Sequence, residues 1–509
     1  MHFNIHRPPK LIELQIMTEQ YFGRFRKNII GIDQTFTGPY GEKKIVYADW
    51  TASGRMYAPI EHRLSHDIAP FVGNTHTETT VTGSSMTKAY HQAKEIIKKH
   101  VNAAETDILI SSNSGMTGVV NKLQRMLGLK VHEKMRKNIE IPPSERPIVF
   151  VTHMEHHSNQ TSWLETICDV DVIQACSEGC VDLDHFQKLL DKYKDRPLKI
   201  AAVTSCSNVT GIQTPYHQIA KMIHLAGGYC FVDFACSGPY IDIDMHPKDT
   251  EQKLDAIYFS PHKFLGGPSS SGILVFCQSL YDNKIPDNPG GGTVDWTNPW
   301  GEHKYYDSIE AREDGGTPSF IQTMRVALCI QLKEEMGVHN ILHREHQLME
   351  PVWNRLSKVE NLHILADNVK DRLAVFSFYV EDLHFNLAVK LLNDRYGIQV
   401  RGGCSCAGTY GHYLLEVSNE KSKSITDLIN MGDNSNKPGW IRMSLHPTMQ
   451  DEEVLYLIDA IESLCANHQE WAKEYKYDKY KNEFYHISGY NIEDDIIKDW
   501  FVIKEPEIL

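Results

Sequence analysis

Residues 229–233 read YCFVD and residues 256–263 read AIYFSPHK, and these two segments decide the fold class. Each is a short, continuous apolar run that ends in polar residues. Similar runs stand at 148–151, 200–203 and 273–276, and helix-like stretches at 181–194 and 215–228 separate the first of them. Continuous apolar strands that alternate with helices predict an α/β fold, with a mainly parallel sheet covered on both faces.

Polar side chains follow the predicted strands at 153–159, 205–208, 233 and 260–263. Ligands of open α/β sheets bind outside the carboxyl ends of the strands, so this edge is the predicted site. Asp233 and Lys263 on neighbouring strand ends suit pyridoxal phosphate, because the lysine bonds to the aldehyde and the aspartate keeps the pyridine nitrogen protonated. The alternative is a surface lysine and a strand-end aspartate that have no relation to each other.

A phosphate group has candidate donors in the same part of the sequence. Ser260 and His262 stand just before the lysine. Residues 115–118, which read GMTG and include Met116 and Thr117, precede a predicted helix and offer free backbone N–H groups. The sequence therefore predicts a phosphate-binding end of the site.

The composition limits the class of protein. The chain has 509 residues and a net charge of −14, with 41% hydrophobic and 23% charged residues, as in globular proteins with a large core. An acidic balance disfavours nucleic acid as a partner. Eleven scattered cysteines indicate reduced thiols and a cytoplasmic location. No run reaches the roughly 18 apolar residues of a membrane span, so no membrane partner is expected.

The chain divides into four predicted segments. Residues 1–40 form an arm, 41–336 the large domain, 337–465 a small C-terminal domain and 466–509 an extension. In the large domain we predict a helix over 84–101 capped by Ser84 or Ser85, a long loop over 280–316 and a helix over 319–336. The small domain has predicted strands at 363–365 and 373–379 and helices at 386–394 and 452–465.

Six motifs resemble a known family. They read VTHMEHHSN (151–159), SNVTG (207–211), VDFACSGPY (232–240), SPHKFLGG (260–267), REDGGTP (312–318) and RGGCSCAG (401–408). Their order and spacing are similar to those of the class V aminotransferases, above all the cysteine desulfurase and selenocysteine lyase branch. The resemblance runs from about Tyr47 to Pro447. It implies a homodimer of the pyridoxal phosphate transferase type I fold, with a seven-stranded sheet in the large domain.

The resemblance implies roles on the cofactor side. Lys263 would bond to pyridoxal phosphate and Asp233 would pair with its ring nitrogen. His156 would stack on the ring and help proton transfer, and Asn208 would lie near the ring hydroxyl. Two further positions implied by the resemblance are Cys236, where the family usually has glutamine, and Thr293, which would reach the phosphate of the other subunit.

The resemblance also implies roles on the substrate side. Arg442 would bind the amino-acid carboxylate, with His76 and Arg401 nearby, and Cys406 would be the nucleophile that takes sulfur. Cys404 is an extra thiol. Three other interpretations stay open for the two cysteines: idle thiols, a metal pair with His412, or a regulatory disulfide.

The expected function is a pyridoxal phosphate-dependent cysteine desulfurase or selenocysteine lyase. It would remove sulfur or selenium from a small amino-acid substrate, leave alanine, and form a Cys406 persulfide that a sulfur-acceptor protein could receive. Two alternatives remain: a cofactor sulfurase related to the molybdenum cofactor sulfurases, or a class V aminotransferase, epimerase or carbon–sulfur lyase.

Overall fold

A seven-stranded sheet forms the centre of the chain in a computed structural model that describes residues 11–75 and 77–503. The strands are β1 (Thr35–Gly38), β2 (Gly41–Lys44), β3 (Val46–Tyr47), β4 (Ile108–Ser112), β5 (Ile148–Thr152), β6 (Asp169–Ile173), β7 (Lys199–Thr204), β8 (Tyr229–Asp233), β9 (Ala256–Phe259), β10 (Gly272–Phe276), β11 (Val294–Thr297), β12 (His303–Tyr305), β13 (Leu362–Ile364), β14 (Val375–Val380), β15 (Ile398–Gln399), β16 (Arg401–Gly403), β17 (Trp440–Ser444), β18 (Tyr475–Asp478) and β19 (Glu483–His486).

Helices surround this sheet and a smaller one. They are α1 (Leu11–Arg26), α2 (Ala58–His62), α3 (Val81–His100), α4 (Gly115–Met126), α5 (Glu133–Arg136), α6 (His157–Leu164), α7 (Leu183–Lys192), α8 (Tyr216–Leu225), α9 (Ile309–Glu313), α10 (Phe320–Met336), α11 (Val338–Leu356), α12 (Phe385–Tyr396), α13 (Gly408–Leu414), α14 (Asn419–Asn430), α15 (Asp451–Trp471) and α16 (Glu493–Ile497). None of the described helices is both long enough and apolar enough to cross a membrane.

The large sheet has the strand order β4-β10-β9-β8-β7-β5-β6. Strands β5, β6, β7, β8 and β9 all run in the same direction. Strand β10 is antiparallel to both of its neighbours, β4 and β9. Ile148 and Phe150 of β5 pack in one core cluster and Val149 and Val151 in another, so both faces are covered. The predicted sheet is confirmed. Strands β4 and β6 complete it, although no apolar run had singled them out.

The helix predicted over 84–101 begins earlier than expected. It starts at Val81, and the Thr80 side chain, not Ser84 or Ser85, is the cap, because Thr80 Oγ1 accepts a hydrogen bond from Gly83 N at 3.3 Å. A cap oxygen satisfies an N–H group that has no partner within the helix. The prediction for the cap was therefore wrong, and that for the helix was right.

The small C-terminal unit has a four-stranded antiparallel sheet with the order β13-β14-β17-β16. Helices α12 and α15 pack together beside it, at the positions predicted from the sequence. Strand β3, from the N-terminal part of the chain, pairs in parallel with β15, so Val46 lies opposite Ile398. Through this pairing, the segment that follows β3 contacts the small C-terminal unit.

Two segments hold more structure than the sequence indicated. The region 280–316, predicted as a loop, contains the β11–β12 hairpin and α9. In the extension, α15 runs on to Trp471 and the aromatic residues that follow form the antiparallel β18–β19 hairpin. Paired strands explain why this extension is aromatic, since such side chains favour β-structure.

Candidate active site

A cavity of about 210 Å³ lies at the carboxyl ends of the parallel strands, where the sequence predicted a site. Twelve of the predicted site residues line it: Met116, Thr117, His156, Asn208, Asp233, Cys236, Ser260, His262, Lys263, Arg401, Cys406 and Arg442. His76 lies outside the described residues. Thr293 does not line the cavity; it is buried in a turn, where its Oγ1 donates to Gly290 O at 2.6 Å.

Lys263 ends a short turn, Pro261–Lys263, that directly follows β9. Burial lowers the pKa of its amine below the ordinary lysine value, because the charged form is poorly solvated there. Within residues 11–75 and 77–503, this amine has neither an ion-pair partner nor a hydrogen-bond partner. A poorly solvated, unpaired and easily deprotonated amine is well suited to attack a carbonyl carbon.

Asp233 is the last residue of β8, one strand away from Lys263. Its Oδ1 accepts a hydrogen bond from Ala235 N at 2.7 Å, which fixes the carboxyl group. Burial raises the pKa of Asp233 to about 6, an effect that the Ala235 N–H and the nearby Lys263 only partly offset. A cationic ring nitrogen in the cavity would favour the ionised carboxylate.

His156 caps helix α6 and faces the cavity with a fixed ring. Its Nδ1 accepts a hydrogen bond from Ser158 N at 3.1 Å, so this nitrogen carries no proton. Burial, followed by the charge of Lys263, lowers the pKa of His156 to about 3. The imidazole is therefore neutral near pH 7 and can exchange a proton through Nε2.

The start of helix α4 also lines the cavity. Met116 N donates to Ser260 Oγ at 3.3 Å, and Thr117 Oγ1 lies 2.8 Å from Ser158 Oγ. A Cβ atom at Gly272 of β10 would lie only 2.1 Å from the Gly115 carbonyl carbon, so this glycine lets the helix start pack directly on the sheet. Such an N-terminus binds anions such as phosphate.

Two arginines of the cavity wall share one carboxylate. Arg401 and Arg442 lie opposite each other on β16 and β17, and both bind Asp49. The distances are 2.7 Å from Arg442 Nη2 to Asp49 Oδ1 and 3.1 Å from Arg401 Nε to Asp49 Oδ2. Only 3% of the Arg442 side chain is exposed, against 48% for Arg401. Asp49 thus offsets the repulsion between two like charges on facing strands.

Cys406 is exposed at the rim of the cavity, on a loop with an unusual backbone. Ser405 and Cys406 have φ angles of 50° and 57°, a left-handed conformation that costs non-glycine residues free energy. The loop is held from the large domain, because His157 N donates to Cys406 O at 2.8 Å. The thiol therefore stands on a strained but anchored loop.

Asn208 contacts this loop. Its Nδ2 donates to Ser405 O at 2.7 Å, while its Oδ1 is buried without a partner among the described residues. Arg442 Nη1 also donates to Asn208 O, at 3.1 Å. Asn208 therefore joins the end of β7 to both the thiol loop and the arginine, in addition to lining the cavity.

Two buried thiols form part of the cavity wall. Cys236 Sγ lies 3.6 Å from Ser207 O, and Cys206 lines the cavity beside it. A hydrogen bond from Cys206 is the main cause of the lowered pKa of Cys236. Cys236 thus has a polar partner of its own in the position that the resemblance gives to glutamine.

The predicted alternative of a metal pair with His412 is not formed in the described part of the chain. His412 Nδ1 lies 2.7 Å from Gly408 O and its Nε2 lies 2.8 Å from Ser422 Oγ, so both ring nitrogens have other partners. Cys404 and Cys406 are free thiols.

The sequence did not reveal every residue of the site. Asp49, Thr51 and Ser405 were missed, although Asp49 and Thr51 belong to the segment YADWTASGR that begins the family resemblance. A carboxylate next to a strand was the available signal, but its partners lie more than 350 residues further along the chain.

The donors fit pyridoxal phosphate group by group. The unpaired Lys263 amine could bond to the aldehyde, the Asp233 carboxylate could pair with the ring nitrogen, and the N-terminus of α4 could bind the phosphate. The unpaired Asn208 Oδ1 adds one polar atom that a ligand can satisfy. Fold and site together define a pyridoxal phosphate-dependent enzyme.

Comparison with known proteins gives the family. The sequence model of the aminotransferase class-V family matches residues 46–457, so the chain belongs to that family. A "probable cysteine desulfurase" of Halalkalibacterium halodurans is 27% identical over 384 residues, 74% of this chain and 86% of that protein. One of Staphylococcus epidermidis is 27% identical over 369 residues, 72% of this chain and 84% of that protein.

Solved structures show the same fold. The apo cysteine desulfurase of Thermococcus onnurineus has a TM-score of 0.68 and 22% identity, covering 87% of this chain and 98% of that one. A cysteine desulfurase of Escherichia coli in an S-sulfonic acid form has a TM-score of 0.66 and 19% identity, covering 87% and 98%.

Proposed function

We propose that this chain is a cysteine desulfurase that uses pyridoxal phosphate to convert L-cysteine into L-alanine, with transfer of sulfur to Cys406. The observation that carries the proposal is the position of Cys406, an exposed thiol at the rim of the cavity that also holds Lys263 and Arg442. The relatives named as cysteine desulfurases support the same substrate.

Each side chain has a task in this reaction. Bound pyridoxal phosphate supplies an electron sink for the bond that breaks at Cα. Lys263 holds the cofactor and takes the Cα proton, which its lowered pKa favours. Asp233 keeps the ring nitrogen protonated, and neutral His156 carries protons beside the ring. The groups at the start of α4 and Ser260 hold the phosphate.

The substrate is oriented by charge. Asp49 neutralises one of the two arginine charges, so one positive charge remains for the single carboxylate of the amino acid. A planar guanidinium binds a carboxylate through two hydrogen bonds, which fixes the direction of the substrate.

Transfer of sulfur to Cys406 needs no external oxidant or reductant. The Cys406 thiolate attacks the sulfur of the substrate, the carbon–sulfur bond breaks, and a persulfide forms on Cys406. The electron pair of the broken bond returns to carbon, which takes up a proton to give alanine. The exposed loop then offers the persulfide to an acceptor outside the cavity.

A homodimer is part of the proposal. The β11–β12 hairpin exposes apolar side chains, with Trp296 47% and Trp300 84% exposed, beside the turn that holds Thr293. Exposed aromatic residues in such a patch mark interaction surfaces. In the family manner, the turn that holds Thr293 would then lie beside the phosphate of the partner subunit, and the buried Thr293 side chain would have to turn outward to reach it.

The test is alanine formation from L-cysteine by the cofactor-loaded protein, with Cys406→Ala and the matched control Cys404→Ser. We expect Cys406→Ala to lower turnover about 1,000-fold while keeping the visible cofactor absorbance, and Cys404→Ser to keep most activity.

Other results would point to the alternatives. Equal alanine from wild type and Cys406→Ala would remove Cys406 from the chemistry but keep carbon–sulfur cleavage. A strong preference for L-selenocysteine would indicate a selenocysteine lyase. Turnover that occurs only with an added sulfur acceptor would indicate a cofactor sulfurase. No alanine at all would contradict the proposal and favour an aminotransferase or epimerase.

A further inference from the structure

Three potential metal ligands meet at the edge of the large sheet opposite the active site. They are Asp107, His246 and Cys277, and one ligand atom from each lies within 4.8 Å of the other two. The active site lies at the carboxyl ends of β5 to β9, whereas Asp107 stands just before β4 and Cys277 just after β10. The cluster is therefore separate from the cofactor cavity.

The sheet register holds two of the ligands. Phe276 and Ile108 are partners in the antiparallel β10–β4 pair, so the next residues outward, Cys277 and Asp107, face each other. Both are buried, and Asp107 Oδ2 also accepts a hydrogen bond from Ala104 N at 2.9 Å. Ligands held by paired strands are already in place before an ion binds, so binding costs little conformational entropy and the affinity is higher.

The third ligand, His246, is fixed by the backbone on both sides. Met245 N donates to Val101 O at 3.0 Å, and Leu254 N donates to Met245 O at 2.9 Å. His246 N donates to Asp244 Oδ1 at 3.1 Å, and its own carbonyl accepts from Asn102 Nδ2 at 3.2 Å. The side chain is 31% exposed, which leaves a path for a small ion from solvent.

The three side chains bring different ligand atoms close together. His246 Nε2 lies 2.6 Å from Asp107 Oδ2, and one potential ligand atom from each of the three residues lies within 4.8 Å of the other two. One oxygen, one nitrogen and one sulfur at this spacing are a donor set that a metal ion can bring together.

We propose that Asp107, His246 and Cys277 bind a divalent transition metal, with Zn²⁺ the best match, and leave a fourth position to water. The carboxylate and a thiolate together carry two negative charges, which neutralise a divalent ion. Thiolate and imidazole ligands favour zinc over magnesium or calcium, which bind through oxygen. A site between β4, β10 and the 245–254 segment would join these elements and stabilise the fold.

Cobalt is the probe that tests this proposal. Co²⁺ in a tetrahedral site with a thiolate ligand has visible absorption bands at longer wavelength than the cofactor absorbs. We would titrate Co²⁺ into the cofactor-loaded Cys404→Ser/Cys406→Ser protein, which lacks the two loop thiols. The expected result is one bound Co²⁺ per chain with tetrahedral bands that an equivalent of Zn²⁺ removes.

Two variants and one control locate the site. Cys277→Ser should abolish the bands, and His246→Ala, at a partly exposed position, should weaken Co²⁺ binding about 100-fold or more. Cys168→Ser, at a half-buried thiol just before β6, at the other end of the strand order, should change neither. Absent bands, or bands that persist in both Cys277→Ser and His246→Ala, would overturn the proposal. Because binding is measured without turnover, this result is independent of the proposed function.

Discussion

The two sides of the active site are built in opposite ways. Asp233 is fully buried and Lys263 is half-buried at the ends of strands. Cys406 is exposed on a loop where two successive residues adopt left-handed backbone conformations. The first side changes the protonation of its groups through burial, and the second stores strain but leaves its thiol accessible.

This difference suits the two tasks of the proposed reaction. A cofactor site needs groups of fixed position and charge in a water-poor environment, which strand ends provide. A thiol that takes sulfur inside a cavity and releases it outside needs a position that both partners can reach. Asn208 and Asp49 connect the two sides, through Ser405 O and through Arg401 and Arg442.

The largest effect should follow from removing the amine of the buried side. Lys263→Ala is expected to lower turnover about 10,000-fold or more, because no other group in the cavity can hold the cofactor covalently and take the Cα proton. Alanine formation and the retention of cofactor absorbance after dialysis measure both roles. Lys333→Met, which removes a buried lysine outside the cavity, is the control and should retain cofactor. Equal loss in both variants would contradict the role of Lys263.

The second effect concerns the cost of burying a carboxyl group. The pKa of Asp233 is about 6 in the folded protein against an ordinary 3.8, so the folded protein keeps a proton that the unfolded chain has lost. Stability of the cofactor-free protein therefore falls as the pH rises from about 4 to about 6 and stays lower above it. Asp233→Asn should raise the free energy of unfolding by up to about 3 kcal/mol at pH 8 and by almost nothing at pH 4.

Denaturant unfolding of the cofactor-free proteins at both pH values measures this difference. The control is Asp242→Asn, at an exposed position of the same segment, which should change the free energy of unfolding by less than about 0.5 kcal/mol. If Asp233→Asn raised the free energy of unfolding equally at both pH values, the raised pKa would not be that of Asp233.

The third effect concerns the carboxylate that joins the two sides. Asp49→Asn leaves the nearly buried Arg442 without its ion pair and should lower the free energy of unfolding by about 2 kcal/mol. Arg401→Gln removes the half-exposed partner and should cost less than about 1 kcal/mol. Denaturant unfolding compares the two variants. Equal losses in the free energy of unfolding would show that the burial of Arg442 does not determine the size of the effect.

The smallest effect belongs to the loop. Ser405→Gly removes a side chain from a residue with φ of 50° and a buried Oγ that has no described partner, so the free energy of unfolding should rise by about 1 kcal/mol. The matched control, Ser424→Gly in the exposed part of α14, should instead lower it by about 0.5 kcal/mol. Denaturant unfolding measures both changes. If the free energy of unfolding changed in the same direction in the two variants, the assignment of strain to the loop would be contradicted.

The sequence predicted the parts of this molecule whose signal is local. Fully buried parallel strands read as continuous apolar runs, and their polar ends mark the cavity, which is how Asp233 and Lys263 were found. Strand β6, with the sequence DVDVI, is only half-buried at the sheet edge, so its run is interrupted by charge. The β11–β12 hairpin was hidden by its glycine- and proline-rich surroundings.

The remaining features depend on residues that are far apart in sequence. Nothing near Asp49 indicates that Arg401 and Arg442 will meet it, because the contact is made by the fold. The left-handed conformations of Ser405 and Cys406 are likewise imposed by Asn208 and His157, which hold the loop from another domain. Family resemblance supplied Cys406, whereas geometry alone shows how the loop is held.

The pairing of β3 with β15 has a consequence for biosynthesis. Asp49 leaves the ribosome early, but Arg442, its partner, is synthesised 393 residues later. Domains generally fold from the N-terminus as they emerge, yet here the segment after β3 must wait for nearly the whole chain. A nascent chain can complete the central sheet before Asp49 has its arginine partner, so assembly of this part of the cavity is a late event in the life of each molecule.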